Sequence, residues 1–468
     1  SKYYSPSLQY YVPNAYQGLV GRLTYEYASR YLAEFNMGYN GTENFAKGKR
    51  FGFFPAVSLG WVISEEKFFP KNNIVKYLKV RGSYGEVGND QIGGDRFLYL
   101  PSSYGAASDS GVNKYNFGLA SNPYTSLMIV ENKIGNPDLT WEKAKKMNVG
   151  VDINLFNNCL TASFDIFKEK RNNILANRST SPMIIGANLP AYNFGEMENR
   201  GWEMDLNFRH HIQDFHYWAR FNYSFARNEI IYMDEVQKRY DYQMTTGRRK
   251  NQFFGLIFDG YYNSWEEINA LDRPKSSWSG NQLQPGDVKY IDVNQDGVID
   301  DYDMVPIGYT PVPEIIYGFS FGAQYKGFDF SILFQGADNV SIKYFGRSMW
   351  PFAKGEESAK SLIKERWTQE RYEAGEKITF PRLSLNPNGE TDHNYRPSTL
   401  WIRDASYLRL KNLEVGYTFT GGFVKRLNLN SVRLYFNGSN LFTWTDVVDL
   451  DPEAPSRSGN VEINTYPL

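Results

Sequence analysis

Residues Pro285–Gly336 read PGDVKYIDVNQDGVIDDYDMVPIGYTPVPEIIYGFSFGAQYKGFDFSILFQG. After the proline-marked turn at Pro311 and Pro313, Ile315, Tyr317, Phe319, Phe321, Ala323 and Tyr325 alternate with Ile316, Gly318, Ser320, Gly322 and Gln324. That is the period-two signature of a strand. Past Lys326-Gly327 the alternation restarts, with Phe328, Phe330, Ile332 and Phe334 against Asp329, Ser331, Leu333 and Gln335. The pair reads as a β-hairpin with one apolar and one largely polar face.

The same stretch carries a second signal. Asp292, Asn294, Asp296, Asp300 and Asp303 place oxygen-bearing side chains at positions 1, 3, 5, 9 and 12 of a loop with Gly297 at position 6, and Val298 offers its backbone carbonyl at position 7. This is the spacing of an EF-hand-like calcium loop over 292–303, with hard oxygen donors and a glycine for the sharp turn. Position 12 is Asp, not the longer Glu, which weakens bidentate closure. The expected role of a bound calcium ion is structural, stiffening the loop; an acidic turn holding no ion is the alternative.

The hairpin theme recurs outward in both directions. In Gly18–Gly41, Leu19, Leu23, Tyr25 and Tyr27 alternate with Val20, Arg22, Thr24 and Glu26, and Tyr31, Ala33, Phe35, Met37 and Tyr39 follow with polar partners between them. Further arms are expected at Phe51–Ile63, Tyr77–Glu86, Met147–Ile166 with a turn at Asn157-Asn158, Trp202–Phe225, Tyr407–Thr420 and Ser431–Thr445. Each arm is near the roughly 9–11 residues that a tilted strand needs to cross a hydrocarbon core, whereas soluble strands average about 5–6. The count comes to about a dozen to fourteen long strands. Between them lie long irregular segments at about 89–137, 230–313 and 338–400, with short strands expected near Arg96 and Ser126 and a short helix at Ser358–Trp367. Tight turns alternating with long excursions is the loop asymmetry of an outer-membrane barrel, whose long loops face outward.

Composition agrees. Of 468 residues, 35 are Tyr, 32 Phe and 10 Trp, yet mean hydropathy is −0.53 and no run approaches the roughly 18 consecutive apolar residues of a membrane helix. Aromatic richness with low hydropathy suits strands that face lipid on one side and water on the other. The net charge of −1, from 51 basic and 52 acidic residues, gives no field for nucleic acid, so no nucleic-acid partner is expected. A single cysteine, Cys159, rules out an internal disulfide framework. His210, His211 and His216 lack metal-ligand spacing, the adjacent pairs Glu65-Glu66 and Glu266-Glu267 read as turn residues, and no nucleophile elbow, P-loop or zinc signature is present. No enzymatic activity is expected. Trp265, Trp278, Trp350 and Phe352, outside the arms, serve either ligand stacking or loop packing.

With these motifs in hand, the chain resembles the SusC-like (SusC/RagA) TonB-dependent transporters of Bacteroidetes outer membranes. The resemblance is carried by RLTYEYASRY (Arg22–Tyr31), FAKGKRFGFFPAVSLGW (Phe45–Trp61), YLKVRGSYGEVGN (Tyr77–Asn89), NPDLTWEKAKKMNVGVDINLF (Asn136–Phe156), ENRGWEMDLNF (Glu198–Phe208), GDVKYIDVNQDGVID (Gly286–Asp300), SYLRLKNLEVGYTF (Ser406–Phe419) and VRLYFNGSNLFTWTDVVDLDPEA (Val432–Ala454). It implies an all-β fold: part of a transmembrane antiparallel β-barrel of about 22 strands, with residues 1–468 supplying a partial barrel and no plug domain. It further implies active import of oligosaccharide or peptide nutrients across the outer membrane, a SusD-like surface lipoprotein lid, and coupling to TonB–ExbB–ExbD through a region upstream of Ser1. The chain is thus expected to be a portion of a longer transporter that alone neither closes a barrel nor couples to TonB. The competing readings are a secreted, calcium-dependent, β-rich glycan-binding protein and a passive porin.

Overall fold

The computed structural model describes residues 2–5, 10–13, 15–91, 97–100, 105–106, 114–119, 124–127, 129–130, 134–180, 189–278, 283–344, 350–352, 361–384, 392–448 and 450–453. Twelve long strands dominate them: β1 (Tyr16–Tyr27), β2 (Tyr31–Thr42), β3 (Phe51–Val62), β4 (Val75–Asn89), β5 (Glu142–Leu155), β6 (Leu160–Ala176), β7 (Tyr192–Ile212), β8 (Phe215–Tyr232), β9 (Ile315–Tyr325), β10 (Phe328–Asp338), β11 (Tyr407–Phe419) and β12 (Val432–Thr445). They hydrogen-bond in one sheet in chain order, each to its sequence neighbour. Every pairing whose register is described is antiparallel. Connections after odd-numbered strands run from 2 to 12 residues, whereas the three longest, 90–141, 233–314 and 339–406, all follow even-numbered strands.

Local chemistry explains the tight turns. Lys326 and Gly327 both take positive φ (46° and 89°), as a two-residue type I′ hairpin requires. Asn157 and Asn158 also sit at positive φ (55° and 66°), a conformation asparagine tolerates better than most side chains.

Long-range contacts divide the chain into two compact units: Ser1–Asn157, Ser163–Trp202 and Asn228–Gln237 in one; Asn158–Ala162, Glu203–Arg227 and Lys238–Leu468 in the other. In the first, register lines up Leu23, Phe35, Val57, Tyr84 and Met147 across β1–β5. All five are exposed, between 38% and 68%. The adjacent row on the opposite face is Thr24, Glu34, Ser58, Ser83 and Asn148. A hydrophobic core in water would bury the first row, so leaving it open requires another apolar phase beside it. In the second unit the rows are Tyr217, Ala323, Phe330, Val415 and Phe436 against Trp218, Gly322, Ser331, Glu414 and Asn437.

Charge follows the polar faces. Arg22 pairs with Glu34 at 2.8 Å, and Arg81 reaches Asp152 at 3.1 Å and Asp165 at 2.6 Å. Strands β6 and β7 outrun the apolar band: past the Phe164–Trp202 ring contact (5.9 Å), Lys168–Glu198 and Lys170–Glu196 pair at 2.9 Å on the face that was apolar below. Charge on that side marks where the strands leave lipid.

Strand β4 begins two residues before the expected Tyr77 and runs on to Asn89. The strand expected near Ser126 is Tyr124–Leu127, paired with Lys114–Phe117, while Arg96 lies outside the described residues. The expected helix at Ser358–Trp367 is a 3₁₀ turn over Ser361–Glu365, with 358–360 outside the described residues.

Each unit also holds a buried core drawn largely from its connections. In the first, Phe45, Phe54, Leu98, Leu139 and Trp141 cluster. In the second, Leu256, Val288, Tyr290, Ile342, Tyr344, Trp367, Phe380, Tyr395 and Trp401 belong to a larger cluster drawn mostly from 233–314 and 339–406. The described residues of the long connections thus pack into cores, and they carry the candidate site.

Candidate functional site

The 292–303 loop is shaped by its own side chains. Asp292 Oδ2 accepts from the Gly297 amide (2.8 Å), Asn294 Oδ1 from the Asp296 amide (2.9 Å) and Asp296 Oδ1 from the Val298 amide (3.0 Å). The last two are successive Asx turns, and the first spans five residues to close the start of the loop. Gly297 sits at φ 82°, a conformation glycine adopts without steric cost. Val298-Ile299 then pairs in parallel with Lys275-Ser276. That ladder uses the carbonyls of Gly297 and Ile299, so Val298, between them, turns its carbonyl to the other edge, as position 7 of a calcium loop requires.

The second half of the loop departs from expectation. Asp300 caps the short turn Asp301–Asp303, accepting from the Tyr302 amide at 2.7 Å. Asp303, wholly buried, accepts from the amides of Val293 (2.8 Å), Asn294 (3.4 Å) and Asp300 (2.9 Å). The position-12 carboxylate thus closes the loop through backbone amides. Burial, joined by the charge of Asp292, pushes the Asp303 carboxyl above its usual range against those three donors. Among the described residues no three His, Cys, Asp or Glu side chains converge as a metal cage. One oxygen is nevertheless left over: Asp292 Oδ1 is buried with no hydrogen-bond partner.

The loop is fastened to its surroundings. Tyr242 Oη donates to the Tyr302 carbonyl (2.7 Å) and Gln243 Nε2 to the Asp301 carbonyl (2.8 Å). Behind it, two polar centres that sequence reading missed hold the connections together. Asp287, 3% exposed, forms an ion pair with Arg382 (2.6 Å) and accepts from Arg382 Nη2 (3.4 Å) and Asn394 Nδ2 (2.8 Å). Glu314, 5% exposed, accepts from Arg227 (2.8 and 3.0 Å), Arg249 and Asn339 (3.2 Å). Burial opposes ionisation of Glu314, but the hydrogen bonds and charges of Arg227 and Arg249 prevail and hold its carboxyl below the usual range.

The other candidates lie elsewhere on the chain. Trp278 packs on the loop core with the Arg396 guanidinium 4.2 Å from its ring centre, and Trp350 lies 5.9 Å from Tyr395; Trp265 is half exposed. Glu66 accepts from Tyr31 Oη (2.6 Å) and Trp61 Nε1 (3.0 Å), and Glu267 from Lys289 (2.6 Å). On the polar face of β1–β5, Thr24, Glu26, Glu34, Ser58, Lys79 and Arg81 border a cavity of about 500 Å³.

Comparison with known proteins is consistent with this geometry. The family model described as TonB dependent receptor-like, beta-barrel, matches residues 3–441. TonB-dependent receptor P3 of Formosa agariphila is 29% identical over 450 residues, covering 94% of this chain and 42% of that protein. TonB-dependent receptor SusC of Bacteroides thetaiotaomicron is 28% identical over 464 residues, covering 98% and 43%. Among solved structures, the RagAB peptide transporter superposes with a TM-score of 0.70 at 24% identity, over 98% of this chain and 46% of that one. The chain spans less than half the length of the curated relatives it matches. With the family model matching residues 3–441 and SusC among its relatives, the chain belongs to the TonB-dependent receptor-like β-barrel family, is SusC-like, and is an outer-membrane protein.

Proposed function

We propose that this chain forms barrel wall and outer loops of a SusC-like importer that moves oligosaccharides or peptides across the outer membrane. It would work beneath a SusD-like surface lipoprotein lid and draw energy from TonB–ExbB–ExbD. The observation that carries the proposal is the two-faced sheet: exposed apolar rows in register on one side, ion-paired polar rows on the other, and folded connections after the even-numbered strands. A secreted glycan binder has no use for five in-register exposed apolar side chains, which in water would drive association. A passive porin shares the faces but not the SusC-type relatives. The test is purification of the native transporter from outer membranes in mild detergent, with mass spectrometry of what accompanies it. A SusD-like lipoprotein in constant ratio supports the importer; recovery of the protein in the soluble fraction without a partner contradicts it.

For the 292–303 loop we infer that calcium binds, because Asp292 Oδ1 is buried without a partner and the donors are hard oxygens. Asp292, Asn294, Asp296 and the Val298 carbonyl would hold the ion, with Asp300 and Asp303 completing the set by turning from the amides they now accept. Its contribution would be to lock the loop against Tyr242 and Gln243. Adding calcium to chelator-treated protein should raise the unfolding temperature, by about 2.7 kcal/mol of stabilisation at a hundredfold excess over Kd. Asp292→Asn should abolish the shift. An unchanged melting curve with calcium contradicts the inference.

A further inference from the structure

Past the apolar band, the lipid-facing side of β4–β7 turns basic at the end that carries the long connections. The parity of Val149 and Met147 on β5 continues into Lys145 and Lys143, and that of Phe164 and Ile166 on β6 into Lys168 and Lys170. Carboxylates stand on the flanking strands. On β4, Glu86 lies opposite Lys145 in register and pairs with Lys143 at 3.7 Å; on β7, Glu198 and Glu196 take Lys168 and Lys170 at 2.9 Å. In each ion pair the lysine is the more exposed partner: 38% against 19%, 52% against 16% and 43% against 35%. The acids are tucked toward the wall, so the ammonium groups dominate the outward surface. Lys145 pairs with no carboxylate among the described residues.

The two central strands also bring like charges together. On the polar face, Asp152 meets Ser163 (2.9 Å) and Lys146 meets Glu169 (3.4 Å) across β5 and β6. One residue farther out on each antiparallel strand, the same pairing sets Lys145 opposite Lys170 on the lipid-facing side. Like charges directly opposite each other repel, and an anion lying over both relieves the repulsion.

We propose that Lys143, Lys145, Lys168 and Lys170 bind the phosphate-bearing headgroup of a glycolipid in the outer leaflet. The lysines are continuous with the apolar face: Lys168 follows the exposed Ile166 by one pleat, about 7 Å along the strand, and Lys145 precedes the exposed Met147 by the same step. Acyl chains would lie on Ile166, Met147 and the Phe164–Trp202 ring pair, with the lysine stems along that surface and their heads in the phosphate layer. A soluble anion has no use for the adjoining apolar wall. The assignment rests on which face meets lipid and is independent of what is imported.

The probe is phosphorylated lipid A, added to the delipidated transporter in mild detergent and counted by native mass spectrometry, with dephosphorylated lipid A and inorganic phosphate tested in parallel. The phosphorylated lipid should be retained in preference to the dephosphorylated form, and less strongly as salt rises. Lys145→Gln and Lys170→Gln should each weaken retention roughly fivefold, equivalent to about 1 kcal/mol per lysine beside an anionic lipid surface. Lys146→Gln, on the opposite face, should leave it unchanged. Equal retention of the two lipids, or an equal loss on Lys146→Gln, would overturn the assignment. So would inorganic phosphate binding as tightly as the lipid, which would make this a site for a free anion. Unchanged melting curves for the variants establish that each still folds.

Discussion

At the scale of single residues, the strongest constraints are buried charges whose partners lie far away in sequence. Glu314 joins Arg227, Arg249 and Asn339, so Glu314→Gln leaves two guanidinium groups facing a neutral amide. Because Arg227 and Arg249 are partly exposed, the loss is that of charged hydrogen bonds, about 1.5–3 kcal/mol, readable as an earlier midpoint in denaturant. The pH dependence follows from the direction of the shift. Because the folded-state carboxyl is held below its usual range, the unfolded chain binds the proton more readily, and stability rises with pH through that window. The stabilisation is complete above the ordinary carboxylate range near 4 and is lost as pH falls through the folded-state value. Glu314→Gln should flatten that acid slope, and an unchanged slope would place the acid sensitivity elsewhere. The residue was invisible in sequence for a physical reason: TPVPE (Thr310–Glu314) reads as a turn, and nothing local announces partners 87 and 65 residues upstream. The calcium-type loop was legible because its donors sit within a dozen positions and shape their own backbone. What spacing could not reveal is that Asp300 and Asp303 turn to amides.

At the scale of elements, period two identified the strands wherever both faces keep their parity, as in β1, β2, β9 and β10. Strand β11 shows where that reading needs a correction. In Tyr407–Phe419 the apolar set changes parity, from Leu408 and Leu410 to Leu413, Val415 and Tyr417. The register explains it: Phe334 pairs with Leu410 and Leu333 with Asn412, leaving Lys411 as an extra residue. A bulge of this kind resets which side chains face which way. It keeps Arg409, 4% exposed, on the side where Asp451 (2.6 Å) and Glu453 (3.0 Å) meet it. Deleting Lys411 should flip Tyr407–Leu410 relative to the rest of the strand and break the Arg409 cluster, costing at least about 3–5 kcal/mol. Lys411→Ala keeps the bulge and removes the pairing with Glu453 at 3.3 Å, a change of about 0–1 kcal/mol. Heat-modifiability on a gel compares the two; equal stability of the deletion and the substitution would show that the bulge sets no register.

At the scale of the whole molecule, one face of the sheet lies against lipid and the other against water. Leu19, Leu23, Leu59 and Met147 are more than half exposed on the first face, while Arg22, Glu34 and Arg81 pair on the second. The measurement that tests this most directly is a spin-label scan of β1 and β2. Cys159, the chain's 1 cysteine, is first replaced by alanine, and single cysteines are then placed at successive positions from Leu19 to Tyr27 and from Tyr31 to Tyr39. Collision with oxygen, which concentrates in lipid, is compared with collision with a water-soluble nickel chelate in reconstituted bilayers. Strict alternation is expected: Leu23, Tyr25, Phe35 and Met37 accessible to oxygen, and Arg22, Thr24, Glu34 and Asn36 accessible to the nickel chelate. Equal access of the water-soluble reagent to both sets would contradict it.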